Sequence, residues 1–244
     1  GVGDEASGRK GGTGLDSDIV DALRWVGGAA IGPLAPPEKP AQVVNLSFGG
    51  GRLSFTVKQA VDELIHKGIS VVAAAGNNGM DTTGGAASDF FPGGLDNVVS
   101  VGSISPVGLR SGFSSFGERV DLLAPGEDIV STYRSAQDFD YGMLTGTSQA
   151  APHVAGAVGM LKTLWPAATP AQVVDVLWET ADASKRCDNT PEQGCGAGLL
   201  DTAALLQVAA AQARCTCPQG QYCLRGGCRL PVPRHTSVLA TPVL

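Results

Sequence analysis

Histidine is scarce in this sequence. Three occur in 244 residues, at His66, His153 and His235, so proton-transfer chemistry near neutral pH has few imidazoles to draw on. Basic charge is not in excess. Lys and Arg number 17 against 23 Asp and Glu, a net charge of −6, which gives no reason to expect nucleic acid or an anionic membrane as partner. No apolar run reaches the roughly 18 residues of a membrane-spanning helix. With 43% hydrophobic and 16% charged residues, the composition excludes a coiled coil or a disordered chain. Cysteine is missing upstream of Cys187. All six cluster late, at Cys187, Cys195, Cys215, Cys217, Cys223 and Cys228. An even count among Gly, Pro and Asn reads as disulfides in an oxidising compartment, and so as a secreted protein, extracellular or periplasmic. Zinc is the competing reading, but Cys215-x-Cys217 with Cys223-x4-Cys228 lacks a paired C-x2-C spacing and encloses no histidine. The chain opens on Gly1 rather than Met, so it is read as part of a longer or processed protein.

What is present is an alternation of strands and helices. Ser17-Asp18 caps a helix with Ile19, Val20, Leu23 and Val26 on one face, and four prolines then make 29–41 a loop. Val43–Phe48 is a short strand, about 53–67 a helix, and Ile69–Gly76 an apolar run of strand length. Strand, helix and strand with apolar residues on both strand faces is a βαβ unit of a buried parallel sheet. Further strands are expected at 98–102 and 120–124, and helices after Ser148, at about 170–180 and at 199–214. The helix after Ser148 is rich in Ala and Gly, which predicts close packing on every side. The composition changes after Arg214, dividing the chain into a body at 1–214 and a Cys-rich and Pro-rich extension at 215–244.

The stretch Leu144-Thr145-Gly146-Thr147-Ser148-Gln149-Ala150-Ala151-Pro152 sets a serine where a polar turn meets a helix. A helix beginning there places Pro152 in its first turn, where a missing N–H costs nothing. Ser148 then reads either as a helix cap or as a nucleophile whose oxyanion product meets unpaired backbone N–H groups. Asn77 ends an apolar strand at the edge where α/β sheets bind ligands. In Gly76-Asn77-Asn78-Gly79, Asn77 is either, with Asn78, a turn former or a side-chain donor to an oxyanion.

The segment Gly146-Thr147-Ser148-x-Ala150-x-Pro152-His153-Val154-Ala155-Gly156 resembles the active-site serine motif of the subtilisin-like serine proteases. Val71–Asn77 resembles that family's oxyanion-hole strand, and Asn45-Leu46-Ser47-Phe48-Gly49-Gly50 its substrate-binding strand. Phe113–Gly117 and Ala124-Pro125-Gly126 match connecting turns in the same order. The resemblance implies a three-layer α/β fold with a mainly parallel sheet between helices, lacking its first strands, plus a small disulfide-rich extension. It implies a secreted serine endopeptidase acting through an acyl-enzyme, with Ser148 as nucleophile and Asn77 as oxyanion donor. Ser47, Phe48 and Gly49 would pair with an extended polypeptide substrate, and Ala74, Ala75 and Gly76 would wall the pocket for the residue before the scissile bond, with Gly93 and Gly94 near its other side. Phe91-Pro92 matches a position where the family often has a cis peptide. The resemblance also implies a structural calcium ion at Asp121, with carbonyls from Gly93 to Val98, although Glu118-Arg119 displaces an adjacent acid. No cofactor for catalysis is implied. Cys187 and Cys195 are expected to pair, and the other four cysteines allow three connectivities.

One departure matters. The family's triad histidine and aspartate come from segments upstream of Gly12, and no His-Gly-Thr-His or Asp-Thr-Gly motif occurs here. His153 matches a structural position, His66 sits beside Lys67 at a helix end, and His235 lies in the proline-rich tail. An N-terminal segment of the same precursor is the expected partner, supplying base and acid. The alternative is an inactive pseudoprotease or peptide-binding module.

Overall fold

The computed structural model describes residues 14–50, 53–83, 90–134, 139–185 and 194–232. Cys187 and His235 lie outside the described residues. Four strands, β1 (Val43–Leu46), β2 (Ser70–Ala74), β3 (Val98–Ile104) and β4 (Leu122–Pro125), form one sheet in chain order. Every pairing in it is parallel, with Val43 opposite Ser70, Val71 opposite Val98, and Val101 opposite Leu122. Every residue of β2 and β3 is buried, as a sheet covered on both faces requires.

Helices supply the two covers. On one face α1 (Asp16–Val26) and α2 (Phe55–His66) bring Val20, Leu23, Val57, Val61 and Leu64 against Val71 and Ala73. On the other, α3 (Thr147–Leu164), α4 (Pro170–Thr180) and α5 (Thr202–Gln212) pack Ala150, Val154, Val158, Val173 and Leu205 against Val72 and Ala74. Neighbouring residues of β2 thus serve opposite layers, which is the period-two alternation of a strand. The fold is a three-layer α/β sandwich.

Several boundaries differ from the sequence reading. Helix α1 starts at Asp16 with Leu15 as its N-cap, so Asp16 and Asp18 lie in the first turn, near the positive end of the helix dipole. Helix α5 starts only at Thr202, capped by Asp201. The reason is that Gly198–Leu200 runs beside β4, with Leu123 N donating to Gly198 O and Leu200 N to Leu123 O. An antiparallel hairpin of β5 (Ile129–Arg134) and β6 (Phe139–Leu144) leads into α3 and was not expected. Helix α3 is not enclosed all round. Ala150, Ala151, Val154, Ala157 and Leu161 are buried, but Pro152, His153 and Gly156 are exposed, and Met160 and Leu164 are 47% and 46% exposed.

Lys162, near the C-terminal end of α3, is buried. Its ammonium donates to Gly68 O at 3.1 Å and to Ala168 O, and burial lowers its pKa. Carbonyl oxygens solvate the charge there and tie α3 to the start of β2.

The C-terminal knuckle is a hairpin of β7 (Tyr222–Leu224) and β8 (Gly227–Arg229). Its disulfides join Cys215 to Cys223 and Cys217 to Cys228, and Cys195 is also disulfide-bonded. Tyr222 is 1% exposed and belongs to the core between α3 and α5, its ring 6.0 Å from that of Trp165. Its hydroxyl donates to Oδ2 of the buried Asp175 in α4. Burial, and then the Asp175 carboxylate, push the phenol pKa up. Replacing Tyr222 by Phe removes a charge-assisted hydrogen bond inside the core. It is expected to cost about 1.5–3 kcal/mol, read as a lowered midpoint in urea denaturation.

Candidate active site

Three chain segments converge at the C-terminal edge of the sheet. β1 runs out into Ser47–Gly50, β2 into Ala75–Gly79, and β6 through Thr145-Gly146 into α3. Their meeting point is held by side chains. Asn77 Oδ1 accepts from Thr147 N and from Thr147 Oγ1, both at 2.8 Å. Thr147 Oγ1 in turn accepts from Gly76 N at 3.2 Å. Because a backbone N–H can only donate, the Asn77 amide has one orientation, with Oδ1 on the helix and the NH2 on the other side.

Asn77 is therefore the residue that caps α3. The N-cap position itself is Gly146, with no side-chain cap bond of its own. Ser148 is the second helical residue and does not cap. Its Oγ donates to Ser47 O at 3.0 Å, while Ser47 Oγ donates to Ser148 O at 2.7 Å. The Ser148 N–H is among the first four of the helix, which have no intrahelical acceptor. A Cβ on Gly146 would stand 3.2 Å from Asn77 Nδ2, so glycine keeps that amide uncovered. Ser148 Oγ, its own N–H and the Asn77 NH2 thus face one small volume at the positive end of α3.

Beside them lies a cleft of about 320 Å³ whose lining includes Phe48, Gly49, Ala74–Asn77 and Ser148. Phe90, Phe91 and Met80 also line it, and among the described residues no charged side chain does. The ledge Gly49-Gly50 is tied to the opposite wall by Gly50 N donating to Phe91 O at 3.0 Å, beside the cis Phe91–Pro92 bond. Gly93 and Gly94 do not line the cleft. Gly93 backs its wall, where a Cβ would come within 2.6 Å of Ala74 O.

The family model of the subtilases matches residues 6–198. The chain belongs to the subtilase family. This subtilase is 38% identical over 197 residues to an extracellular basic protease of Dichelobacter nodosus, covering 77% of this chain and 31% of that protein. It is 35% identical over 199 residues to an extracellular protease of Xanthomonas campestris pv. campestris, covering 79% and 33%. A solved protease structure from Pseudoalteromonas arctica superposes with a TM-score of 0.72 at 33% identity, covering 80% of this chain and 59% of that one. The chain thus spans about a third of the length of these two curated relatives.

Among the described histidines of this subtilase, neither lines the cleft. His66 Nδ1 bonds to Asp62 O and His153 Nδ1 to Gln149 O, each within its own helix, and both are exposed.

Some of the oxygens implied for calcium already accept hydrogen bonds. Asp121 Oδ2 accepts from Ser100 N at 2.7 Å and Oδ1 from the Trp178 indole at 2.9 Å. Gly94 O accepts from Arg119 Nη1 at 3.3 Å, and Asp96 Oδ1 accepts from the same nitrogen at 3.0 Å. Calcium takes six to eight oxygen ligands. At Gly94 O and Asp96 Oδ1 the Arg119 guanidinium takes the place beside these oxygens. Replacing Arg119 by Met is expected to lower Tm by about 2–4 °C, as for a loss near 1 kcal/mol in a domain of this size; a thermal melt checks it.

Sequence reasoning missed Thr147 as the group that orients Asn77, and Phe90 and Met80 as cleft walls. Thr147 carried a signal, since a hydroxyl beside a helix start is placed to bond backbone groups. Phe90 and Met80 lie ten positions apart, and no local pattern brings them to one wall.

Proposed function

We propose that this subtilase is the nucleophile-bearing part of a secreted serine endopeptidase. The observation that carries the reading is the placement of Ser148 in the first turn of α3, beside an Asn77 amide whose NH2 the Thr147 bonds turn toward the same volume. Ser148 Oγ adds to a peptide carbonyl as its proton passes to a histidine outside this chain. The oxyanion is held by Asn77 Nδ2 and the Ser148 N–H. The amine leaves with that proton, and water then releases the acyl group. The substrate lies extended along Ser47–Gly49 and pairs with its backbone, directing an uncharged side chain at the apolar cleft.

Base and carboxylate come from an upstream segment of the same precursor. Two observations support this. Among the described residues β1 pairs only with β2, leaving one edge of the sheet open, and the Met160–Leu164 face of α3 is uncovered. A segment carrying further strands would satisfy both. The disulfides, and two relatives named as extracellular proteases, support secretion.

The test is to treat the purified, processed protein with a fluorophosphonate probe and map the modified peptide. Modification of Ser148 is the expected result. Folded protein that stays unlabelled would leave a pseudoprotease or peptide-binding module as the reading.

A further inference from the structure

In an α-helix each carbonyl accepts from the N–H four residues on, and proline has no N–H to give. Helix α3 starts at Thr147, which puts Pro152 sixth rather than in the first turn. The carbonyl it deprives is that of residue 148. The helix runs on unbroken, but it lacks one backbone hydrogen bond at its own candidate nucleophile.

That carbonyl is not bare. Ser47 Oγ donates to it at 2.7 Å, across 101 positions of chain. A hydroxyl has one proton, and its direction is set here from behind, because Asn45 Nδ2 donates to Ser47 Oγ at 2.8 Å. The grip is mutual, since Ser148 Oγ donates to Ser47 O at 3.0 Å.

We propose that Ser47 is a positioning residue, its hydroxyl standing in for the helical donor that Pro152 removes, with Asn45 aiming it. Holding the Ser148 carbonyl fixes ψ of the nucleophile and hence its place over the cleft. Ser47 also begins the ledge on which an extended substrate lies. One side chain therefore sets the nucleophile in register with the backbone that presents the scissile bond. Misplacement by about 1 Å can cost on the order of 10²-fold in rate.

The inference rests on the endopeptidase reading of Ser148, and the test separates the two. Ser47→Ala in the processed enzyme is expected to lower kcat by roughly 10–100-fold with KM changed less than about twofold, the pattern of a lost transition-state alignment. Ser47→Thr keeps the hydroxyl and is expected to retain most of the activity. The decisive background is Pro152→Ala, which returns an N–H four residues beyond Ser148. There Ser47→Ala should cost several-fold less than in the parent, a coupling that two independent sites would not show. Equal losses in both backgrounds, or a raised KM at unchanged kcat, would overturn the proposal while Ser148 labelling in the parent still stood. A parent protein that is folded and unlabelled would sink the underlying reading instead.

Discussion

Ser148→Ala is expected to abolish fluorophosphonate labelling and to lower peptide hydrolysis by about 10⁶-fold, with Tm unchanged within about 2 °C. The second half of that statement gives the first its force. The Ser148 hydroxyl makes one bond, to Ser47 O, and the cap of α3 comes from Asn77, so removing the hydroxyl leaves the helix start intact. Had Ser148 been the cap, the substitution would cost about 1 kcal/mol of stability. A loss of labelling accompanied by a drop of several degrees would therefore return Ser148 to a structural role. Activity against a chromogenic peptide and a thermal melt on the same preparation decide the matter.

Asn77 carries two duties on two atoms, and two substitutions separate them. Asn77→Ala removes both the helix cap and the oxyanion donor. It should lower kcat by roughly 10²–10³ with KM little changed, and lower stability by about 1 kcal/mol. Asn77→Asp keeps an acceptor for the Thr147 N–H at the helix N-terminus, where a negative charge is favoured. It places a carboxylate oxygen where the NH2 was. Stability should be kept or raised, while kcat falls at least as far as in the alanine variant, because a like charge now faces the developing oxyanion. Steady-state kinetics with denaturant unfolding on both variants checks this. If Asn77→Asp retained turnover, the NH2 would not be an oxyanion donor.

Much of this architecture is legible in the sequence because its signals are local. The apolar run at Val71–Ala75 could only be a doubly covered strand, and it lies entirely buried in the sheet. The β5–β6 hairpin left no such mark. Val130 and Tyr141 are 60% and 73% exposed, and β5 mixes apolar and polar residues without the alternation that a half-buried strand shows. Leu199, where the expected helix 199–214 begins, is apolar and serves a strand bridge equally well, and backbone bonds to Asp182 and beside β4 decide it. The site divides in the same way. The residues around Ser148 form a long contiguous motif, whereas the Ser47–Ser148 grip joins positions 101 apart, and no local rule carries that distance. The local run Gly76-Asn77-Asn78-Gly79 fits a turn as well as a donor. Only the position of Thr147 in space makes Asn77 a cap.

The two disulfides of the knuckle interleave: the chain meets Cys215, Cys217, Cys223 and Cys228 in that order, and the bonds join first to third and second to fourth. A single backbone scission anywhere between Cys215 and Cys228 therefore frees no fragment, because at least one covalent bridge always spans the break. Pairing of neighbours would have left 218–222 unspanned, and a cut there would shed the hairpin. This wiring keeps Tyr222 covalently tied to the body of the protein even after the segment around it has been clipped.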